Sequence, residues 1–223
     1  MEHVFLTGGY GNIGTAIKHK FEHEGYHVIC PTSQELNLLN FNQISYYIKQ
    51  IPPVVSIIHC AGINNPVCFE NIEMDDFEKT LSINALSFFK IMHEITVNSK
   101  LKDSGHVLAI SSIYGEISRK GRFAYTASKY CLNGMVKNLA IELASKKIKV
   151  NGLAPGFVDT ALTYKNNSEE MMQHIKNSIP LGELAKVDDI AKIAYFLSSS
   201  NNNYITGQII LADGGYIMGG GNI

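Results

Sequence analysis

The chain alternates short apolar runs with longer segments in which apolar residues recur at helical spacing. The short runs are rich in β-branched residues and are apolar at consecutive positions, which is typical of strands that are buried on both faces of a sheet. We predict six such strands, at Val4–Thr7, His27–Cys30, Val54–Cys60, Val107–Ser111, Lys149–Leu153 and Gln208–Leu211.

The longer segments between these strands have the 3.6-residue period of amphipathic helices. A strand followed by a crossover helix, repeated along the chain, predicts a doubly wound, mostly parallel α/β sheet of the Rossmann type, with helices on both faces. No repeat or linker divides the sequence, so we expect residues 1–223 to form one domain. The predicted helices are Asn12–Glu24, Phe41–Lys49, Met74–Ser99, Ala124–Ala144, Ser168–Ser178 and Val187–Ser199.

Charge and composition narrow the class of partner. The formal net charge is −1, and the 19 basic residues form no run or stripe of the kind that binds nucleic acid or an anionic membrane surface. No apolar run approaches the ~18 to 20 residues that cross a bilayer. The cysteines have no CxxC spacing, and the first strand begins at Val4, so we expect a cytoplasmic protein with reduced thiols and a small-molecule partner.

A glycine-rich loop joins the first predicted strand to the first helix. It reads Thr7-Gly8-Gly9-Tyr10-Gly11-Asn12-Ile13-Gly14. Glycines permit a tight turn and a close approach of the backbone to a pyrophosphate, and the helix N-terminus offers unpaired N–H donors. The loop is therefore a candidate dinucleotide site, and a glycine-rich turn without a ligand is the alternative. The candidate contacts in it are Gly8, Tyr10, Asn12, Ile13 and Gly14.

The end of the second strand bears on the choice of dinucleotide. An acidic residue there would bind the ribose 2′-hydroxyl of NAD(H), but this chain has Thr32 and Ser33 after Pro31. The absence of a carboxylate favours NADP(H), with the two hydroxyls as donors to the 2′-phosphate. No arginine stands beside them, and Glu35 is close in sequence, so NAD(H) remains an alternative.

A tyrosine and a lysine are spaced for one face of a helix. Tyr125 and Lys129 stand at i and i+4, and Ser112 follows a buried strand that opens onto the same crevice as the glycine loop. The serine is placed to polarise a carbonyl, the tyrosine to transfer a proton, and the lysine to lower the phenol's pKa and hold the ribose. Two unrelated surface residues on a helix are the alternative.

These motifs together resemble the short-chain dehydrogenase/reductase family, in the single-domain branch that includes 3-oxoacyl-carrier-protein reductases. The resemblance covers the whole chain. The matching pieces are the glycine loop, His59–Gly62, Asn84, Ser112, Tyr125 with Lys129, Val150–Gly156, Ile205–Gln208 and Asp213–Gly215.

The resemblance implies an NAD(P)-dependent oxidoreductase that interconverts a ketone and a secondary alcohol. It implies that Asn84 anchors a water in a proton relay to Lys129, that residues 161–179 form a substrate lid within about 157–185, and that the protein is a homodimer or homotetramer. It implies no metal. Beyond the glycine loop and the Thr32–Ser33 pair, the implied cofactor contacts are Asn37, Leu38, Cys60, Ala61, Gly62, Tyr125, Lys129, Pro155, Gly156, Val158 and Thr160.

Some positions depart from the pattern of this branch. The Gly8, Gly11, Gly14 spacing and His59 resemble the extended branch, which acts on nucleotide sugars. A cofactor-retaining lyase or epimerase and a non-catalytic dinucleotide sensor are therefore carried as alternatives, and we expect His59 to be structural. The chain between Ser33 and Phe41 is too short for the usual helix, which predicts an abbreviated adenine pocket. The substrate's identity stays open.

Overall fold

Six parallel strands form the centre of the structure, a computed structural model that describes residues 1–220. The last three residues of the predicted domain lie outside the described part. The strand order across the sheet is β2-β1-β3-β4-β5-β6, and every neighbouring pair is parallel. The strands are β1 (His3–Thr7), β2 (His27–Ile29), β3 (Val54–His59), β4 (Leu101–Ile110), β5 (Lys149–Pro155) and β6 (Ile209–Ala212).

All six predicted strands are confirmed, and so is the doubly wound, parallel fold class. Strand β4 differs most from its prediction, because it begins at Leu101 instead of Val107. Leu101 pairs with Val54 across an irregularity in register. The residues between, which include the polar Lys102, Asp103 and Ser104, interrupt the apolar run that marks the strand in the sequence.

Helices cover both faces of the sheet. One face packs against α2, α4 and α5, and the opposite face packs against α1 and α8. Strand β1 shows the alternation, since Phe5 belongs to the first core and Val4 and Leu6 to the second. The helices are α1 (Asn12–His23), α2 (Phe41–Gln50), α3 (Met74–Leu81), α4 (Ser87–Val97), α5 (Phe123–Glu142), α6 (Ala161–Lys165), α7 (Glu169–Ser178) and α8 (Val187–Leu197).

The long helix predicted over Met74–Ser99 is interrupted. A π-helical turn at Ser82–Leu86 separates α3 from α4, and the helix ends at Val97 before Ser99 adopts a left-handed conformation with φ of 51°. The extra residue of a π turn does not change the apolar spacing enough to be visible in the sequence. The helix α6 was not predicted, because five residues are too few to show a period.

The strand order reverses at β1, which has β2 on one side and β3 on the other. In such sheets, ligands bind in the crevice outside the carboxyl ends of the strands at this switch point. Thr7 and His59 end the two strands side by side, and the glycine loop follows Thr7 directly. The fold therefore brings the loop and the chain after His59 to one crevice.

A helix that crosses a membrane is about 20 residues long and mostly apolar. Within residues 1–220, none combines the length and hydropathy that a membrane crossing requires.

Candidate active site

A cavity lies at the carboxyl ends of the strands. Its volume is about 590 Å³, within the range of small-molecule sites. The glycine loop and the segment after β2 line one end, and the ends of β4 and β5 with α5 and α6 line the other. We call these the dinucleotide end and the reacting end.

The dinucleotide end offers unpaired backbone donors. Helix α1 begins after Gly11, whose N-cap position has no side-chain hydrogen bond, and its first turn has no acidic residue. Thr15 donates the first helical bond, to the Gly11 carbonyl, so no described residue accepts from the amides of Asn12, Ile13 and Gly14. These donors and the helix dipole, about half a unit of positive charge, suit a pyrophosphate.

Two glycines bring the loop close to the neighbouring backbone. Gly8 has a φ of +72°, and a Cβ there would lie 2.6 Å from the Ala61 backbone. A Cβ on Gly14 would lie 2.1 Å from the Gly8 carbonyl oxygen. The turn therefore requires glycine at both positions, and its shape leaves the unpaired amides facing the cavity.

Nearly all of the predicted site residues line this cavity. The exceptions are Thr32 and Asn84. The lining residues are Gly8, Tyr10, Asn12, Ile13, Gly14, Ser33, Asn37, Leu38, Cys60, Ala61, Gly62, Ser112, Tyr125, Lys129, Pro155, Gly156, Val158 and Thr160.

Thr32 lies outside the cavity lining, and its contact with a 2′-phosphate stays a prediction. Its hydroxyl donates to a Glu35 carboxylate oxygen at 2.9 Å, and its backbone N–H donates to the same oxygen at 2.8 Å. These two bonds hold the pKa of Glu35 below its usual value. The local Thr32–Glu35 turn therefore occupies the hydroxyl that was predicted to bind a 2′-phosphate, whereas Ser33 lines the cavity.

The reacting end brings together the three polar residues predicted for proton transfer. Tyr125 and Lys129 lie one turn apart on α5, with the Lys129 Nζ 5.5 Å from the centre of the Tyr125 ring. The buried ammonium donates to the Ile110 carbonyl at 2.8 Å, where β4 ends. Ser112 follows two residues later, and its hydroxyl accepts from the Tyr114 N–H at 3.2 Å.

Burial shifts the pKa values of both α5 residues. It raises the pKa of Tyr125 to about 12, against the opposing effects of the Ser112 hydroxyl and the charge of Arg122. It lowers the pKa of Lys129 to about 8. The prediction named lysine as the group that lowers the phenol's pKa. In the structure, the groups that lower the Tyr125 pKa are the Ser112 hydroxyl and the Arg122 charge, and the Lys129 ammonium donates to the Ile110 carbonyl.

Asn84 lies behind the cavity wall, in the π turn. Its side-chain oxygen accepts from the Ile63 N–H at 2.8 Å, and its amide donates to the Ile63 carbonyl and to the Ser128 hydroxyl, both at 2.9 Å. A Cβ on Gly62 would lie 3.4 Å from this side chain and 3.6 Å from the Lys129 Nζ. Asn84 thus fixes the strand-end segment beside Lys129, and the water relay stays a prediction.

His59 is placed as expected for a structural residue. It is fully buried, and its Nδ1 is 3.0 Å from the Thr7 hydroxyl oxygen. Burial, with the nearby Lys129 charge, lowers its pKa to about 3, so the ring is neutral. It connects β1 and β3 where their ends meet below the cavity.

The sequence reasoning missed several residues at the reacting end. Arg122 and Asn64 line the cavity beside Tyr125, and the Arg122 Nη1 donates to the Asn64 Oδ1 at 2.8 Å. The signal available in the sequence was an arginine three residues before Tyr125, at the start of the same helix. The other lining residues outside the predicted motifs are Pro31, Leu36, Ile63, Ile83, Ile110, Ser111, Ile113 and Tyr114. Thr7 and Gly11 belong to the predicted glycine loop, and Phe157, Leu162, Thr163, Asn166 and Asn167 belong to the predicted lid.

A metal site in a protein typically needs three or more His, Cys, Asp or Glu side chains that converge on one point. Residues 1–220 contain no group of three or more His, Cys, Asp or Glu side chains arranged to hold a metal ion.

Comparison with known proteins identifies the family. The family model described as enoyl-(acyl carrier protein) reductase matches residues 41–217. The 3-oxoacyl-(acyl-carrier-protein) reductase FabG of Rickettsia bellii is 32% identical over 233 residues, which cover 96% of each chain. The acetoacetyl-CoA reductase of Allochromatium vinosum is 27% identical, covering 96% of this chain and 98% of its own.

Solved structures agree with the sequence relatives. A short-chain dehydrogenase family protein from Francisella tularensis superposes with a TM-score of 0.86 at 25% identity, covering 97% of this chain and 99% of its own. ElxO with NADP bound superposes with a TM-score of 0.86 at 26% identity, covering 97% and 98%. These similarities do not favour the lyase, epimerase or sensor alternatives. The chain belongs to the short-chain dehydrogenase/reductase family and is an NAD(P)-dependent oxidoreductase that acts on carbonyl or secondary alcohol groups.

Proposed function

We propose that this protein reduces a ketone to a secondary alcohol with NADPH, and that Ser112, Tyr125 and Lys129 carry the reaction. One observation carries the proposal. A phenol, a hydroxyl and a buried ammonium share the wall of a cavity whose other end presents the unpaired amides of α1. A dinucleotide bound along the cavity would have its phosphates on those amides and its nicotinamide near Pro155, Gly156 and Val158.

Side chains of the protein transfer the proton to the carbonyl oxygen. When bound, the nicotinamide supplies the hydride that the carbonyl carbon accepts. Tyr125 donates its phenolic proton to the carbonyl oxygen, so that the ketone becomes an alcohol and the tyrosine a phenolate. Ser112 donates a hydrogen bond to the same oxygen and orients it. Lys129 stabilises the phenolate by its charge and binds the ribose, and water returns the proton.

Tyr125 holds the proton that ketone reduction consumes. Burial raises its pKa to about 12, so the phenol is protonated at neutral pH, and the charge of Lys129 beside a bound dinucleotide would help it to release that proton. In the reverse direction it would act as a base, which requires that the bound oxidised nicotinamide and Lys129 lower its pKa. Reduction is therefore the direction that we propose.

The preference for NADP(H) rests on the end of β2. Ser33 lines the cavity there, and the Glu35 carboxylate is bonded to Thr32 outside the lining. No carboxylate lines the described cavity, so none there would repel a 2′-phosphate bound beside Ser33. The similar ElxO structure contains NADP by its description, which supports the same choice.

The region from 157 to 185 is proposed as the substrate lid of a one-domain enzyme. Leu162, Thr163, Asn166 and Asn167 line the reacting end from this side. The helix α7 packs through Met172 and Ile175 on a small apolar cluster with Ile113 and Tyr114. This cluster is separate from the two cores that pack on the sheet, so the lid can open without disrupting either core.

A homodimer or homotetramer is the assembly that we propose. The outer surface of α4 and α5 exposes large apolar side chains, among them Phe89, Val97 and Ile141. Exposed apolar surface of this kind is typical of subunit contacts.

The first substrates to test are 3-oxoacyl thioesters, because two relatives are named as reductases of such compounds. We would follow NADPH oxidation with acetoacetyl-CoA and with simple ketones, for the wild type and for Tyr125→Phe. The matched control is Tyr130→Phe, which removes the hydroxyl of a half-exposed tyrosine on the same helix together with its bond to the Glu116 carbonyl. We expect wild-type and control turnover within two-fold of each other and a loss of roughly 10³-fold or more in Tyr125→Phe. Retained turnover in Tyr125→Phe would contradict the proton-donor assignment.

A further inference from the structure

The chain uses arginine at two positions only. Arg119 and Arg122 are its two arginines, and every other basic residue among the 19 is lysine. Both stand in the four residues that precede α5, the helix of Tyr125 and Lys129. Arginine differs from lysine in its planar, multidentate donor geometry, which matches carboxylate and phosphate groups.

Arg122 is a buried cation in the wall of the reacting end. Its side chain is 5% exposed and it lines the cavity. Its guanidinium lies 5.8 Å from the centre of the Tyr114 ring, and Nη1 donates to the Asn64 Oδ1 at 2.8 Å. No other hydrogen bond to the guanidinium is formed by residues 1–220, so most of its five donors are available to a ligand.

No acidic side chain compensates the charge. Across residues 1–220 Arg122 forms no ion pair, and the lining of the cavity contains no aspartate or glutamate. Burial lowers the pKa of Arg122, as the absence of a carboxylate partner would suggest. Buried charges in folded proteins are normally paired, so the negative charge that completes this site is expected from a ligand.

The dinucleotide does not account for that charge. Its phosphates belong at the other end of the cavity, on the unpaired amides of α1, and Lys129 is bonded to the Ile110 carbonyl. Arg122 stands three residues before Tyr125 and contacts Tyr114, whose ring centre is 6.2 Å from that of Tyr125. The anion that Arg122 would bind is therefore part of the substrate and lies close to the reacting carbonyl.

We propose that the substrate carries a carboxylate near its ketone and that Arg122 binds it. This inference rests on the proposed ketone reduction and narrows its substrate class to oxo acids. A carboxylate fits better than a phosphate because one guanidinium lines the reacting end, which balances one negative charge and offers paired donors to two oxygens. Arg119 lies outside the lining.

The neighbours of Arg122 fix its position between wall and lid. Asn64, which accepts from Arg122, also accepts through its backbone carbonyl from the Asn166 side chain at 3.2 Å. Asn166 belongs to the proposed lid and lines the cavity. The guanidinium is thus connected to the element that would close over the substrate, so a bound carboxylate would be enclosed.

Binding of an unreactive carboxylate tests the inference without turnover. Titration calorimetry would compare butanoate with butanamide on the NADP-loaded protein. We expect butanoate to bind at least 10-fold more tightly, and Arg122→Gln to remove the difference. The matched control is Arg119→Gln, which removes the other arginine and should retain the preference for butanoate over butanamide. Equal binding of the two compounds by the wild type, or a difference that persists in Arg122→Gln, would overturn the proposal, as would tighter binding of methyl phosphate than of butanoate.

Kinetics then relate this site to the reaction. Pyruvate, acetoacetate and 4-oxopentanoate would each be compared with the corresponding methyl ester as substrates for NADPH oxidation. We expect at least one acid to exceed its ester 10-fold in kcat/KM, with the preference lost in Arg122→Gln and partly kept in Arg122→Lys. If Arg122→Gln slows acids and esters equally and shifts the pH profile of kcat, Arg122 acts through Tyr125 and the proposal is wrong.

The two experiments separate this proposal from the one on which it rests. If none of the six compounds supports NADPH oxidation although butanoate is preferred over butanamide, the ketone-reductase proposal fails for these substrates and the carboxylate site stands. Circular dichroism and NADPH affinity would show whether Arg122→Gln is folded. If it is not, the wild-type preference and the Arg122→Lys variant decide.

Discussion

The two ends of the cavity differ in the groups that face a ligand. At the dinucleotide end, backbone amides of Asn12, Ile13 and Gly14 provide the donors, and glycines provide the shape. At the reacting end, side chains provide the polar groups. Two of them, Lys129 and Arg122, are buried cations without an acidic partner in residues 1–220. Binding at the dinucleotide end therefore depends on the backbone conformation of the glycine loop. Binding and reaction at the reacting end depend on charged side chains. Mutations at the two ends should therefore fail in different ways.

The largest effect on dinucleotide affinity is expected from a side chain added to the glycine turn. Gly14→Ala places a Cβ 2.1 Å from the Gly8 carbonyl oxygen, so the loop must move and the amides lose their alignment. We expect NADPH affinity to fall by roughly 100-fold or more, which calorimetry would measure. Gly134→Ala is the control, since a Cβ there meets nothing within 4 Å. Unchanged NADPH affinity in Gly14→Ala would remove the α1 N-terminus from the binding site.

The next effect tests the reacting end on its own. Ser112→Ala removes the hydroxyl beside Tyr125 but no contact to the proposed phosphate site. We expect kcat to fall by roughly 100- to 1,000-fold, as for other donors to a reacting carbonyl oxygen, while NADPH affinity stays within about two-fold. Steady-state kinetics and calorimetry on the same sample measure both quantities. A parallel loss of binding and turnover would mean that the two ends are not separable.

A third prediction concerns the cost of the buried Lys129 ammonium to the free energy of unfolding. Burial lowers the pKa of Lys129 from 10.5 to about 8, so the folded state disfavours its charged form. That cost is fully present below pH 8 and disappears as pH rises from about 8 to 10.5. Lys129→Met should therefore raise the free energy of unfolding at pH 7 by about 1–2 kcal/mol, after loss of the bond to the Ile110 carbonyl, and have less effect at pH 10.5.

Urea denaturation of the protein without dinucleotide, at both pH values, measures this difference. The same variant should lose turnover, because Lys129 is placed in the proton-transfer group. Destabilisation at pH 7 that exceeds the change at pH 10.5 would contradict the assignment of Lys129 as a costly buried cation.

The smallest effect is expected at the end of β2. Glu35 is exposed, and Thr32 holds its carboxylate outside the cavity lining. Glu35→Gln removes a negative charge from this region, so we expect NADPH to gain about two- to five-fold in affinity relative to NADH, less at high salt. Glu169→Gln, in the lid helix α7, is the control. A selective loss of NADH affinity would show instead that Glu35 binds the ribose and that the enzyme prefers NAD(H).

The sequence predicted the dinucleotide end more completely than the reacting end. The six strands and the glycine loop follow from local rules, namely apolar runs and glycine spacing after a strand. Thr32 lies outside the cavity lining because its hydroxyl is bonded to Glu35, and nothing in the sequence separates a hydroxyl that caps a turn from one that faces a cavity.

At the reacting end, three residues were predicted from helical spacing and strand position, and they meet as expected. Arg122 was missed because its importance depends on its burial and on the absence of an acidic partner within residues 1–220. A sequence shows an arginine near Tyr125, but only the fold shows that it is buried in the cavity wall with Asn64, which is 58 residues away, as its partner. The π turn at Asn84 was missed for a similar reason, since its side chain pairs with Ile63 across 21 residues.

The central claim is that this cavity passes a hydride to a ketone while Tyr125 supplies the proton. The most direct measurement uses NADPH carrying deuterium at both C4 positions of the nicotinamide, with mass spectrometry of the product alcohol formed by the wild-type protein. The account predicts one deuterium on the carbinol carbon and none in the product formed from unlabelled NADPH in deuterated water, apart from the exchangeable hydroxyl and enolisable positions. A carbinol hydrogen that comes from the solvent would contradict it.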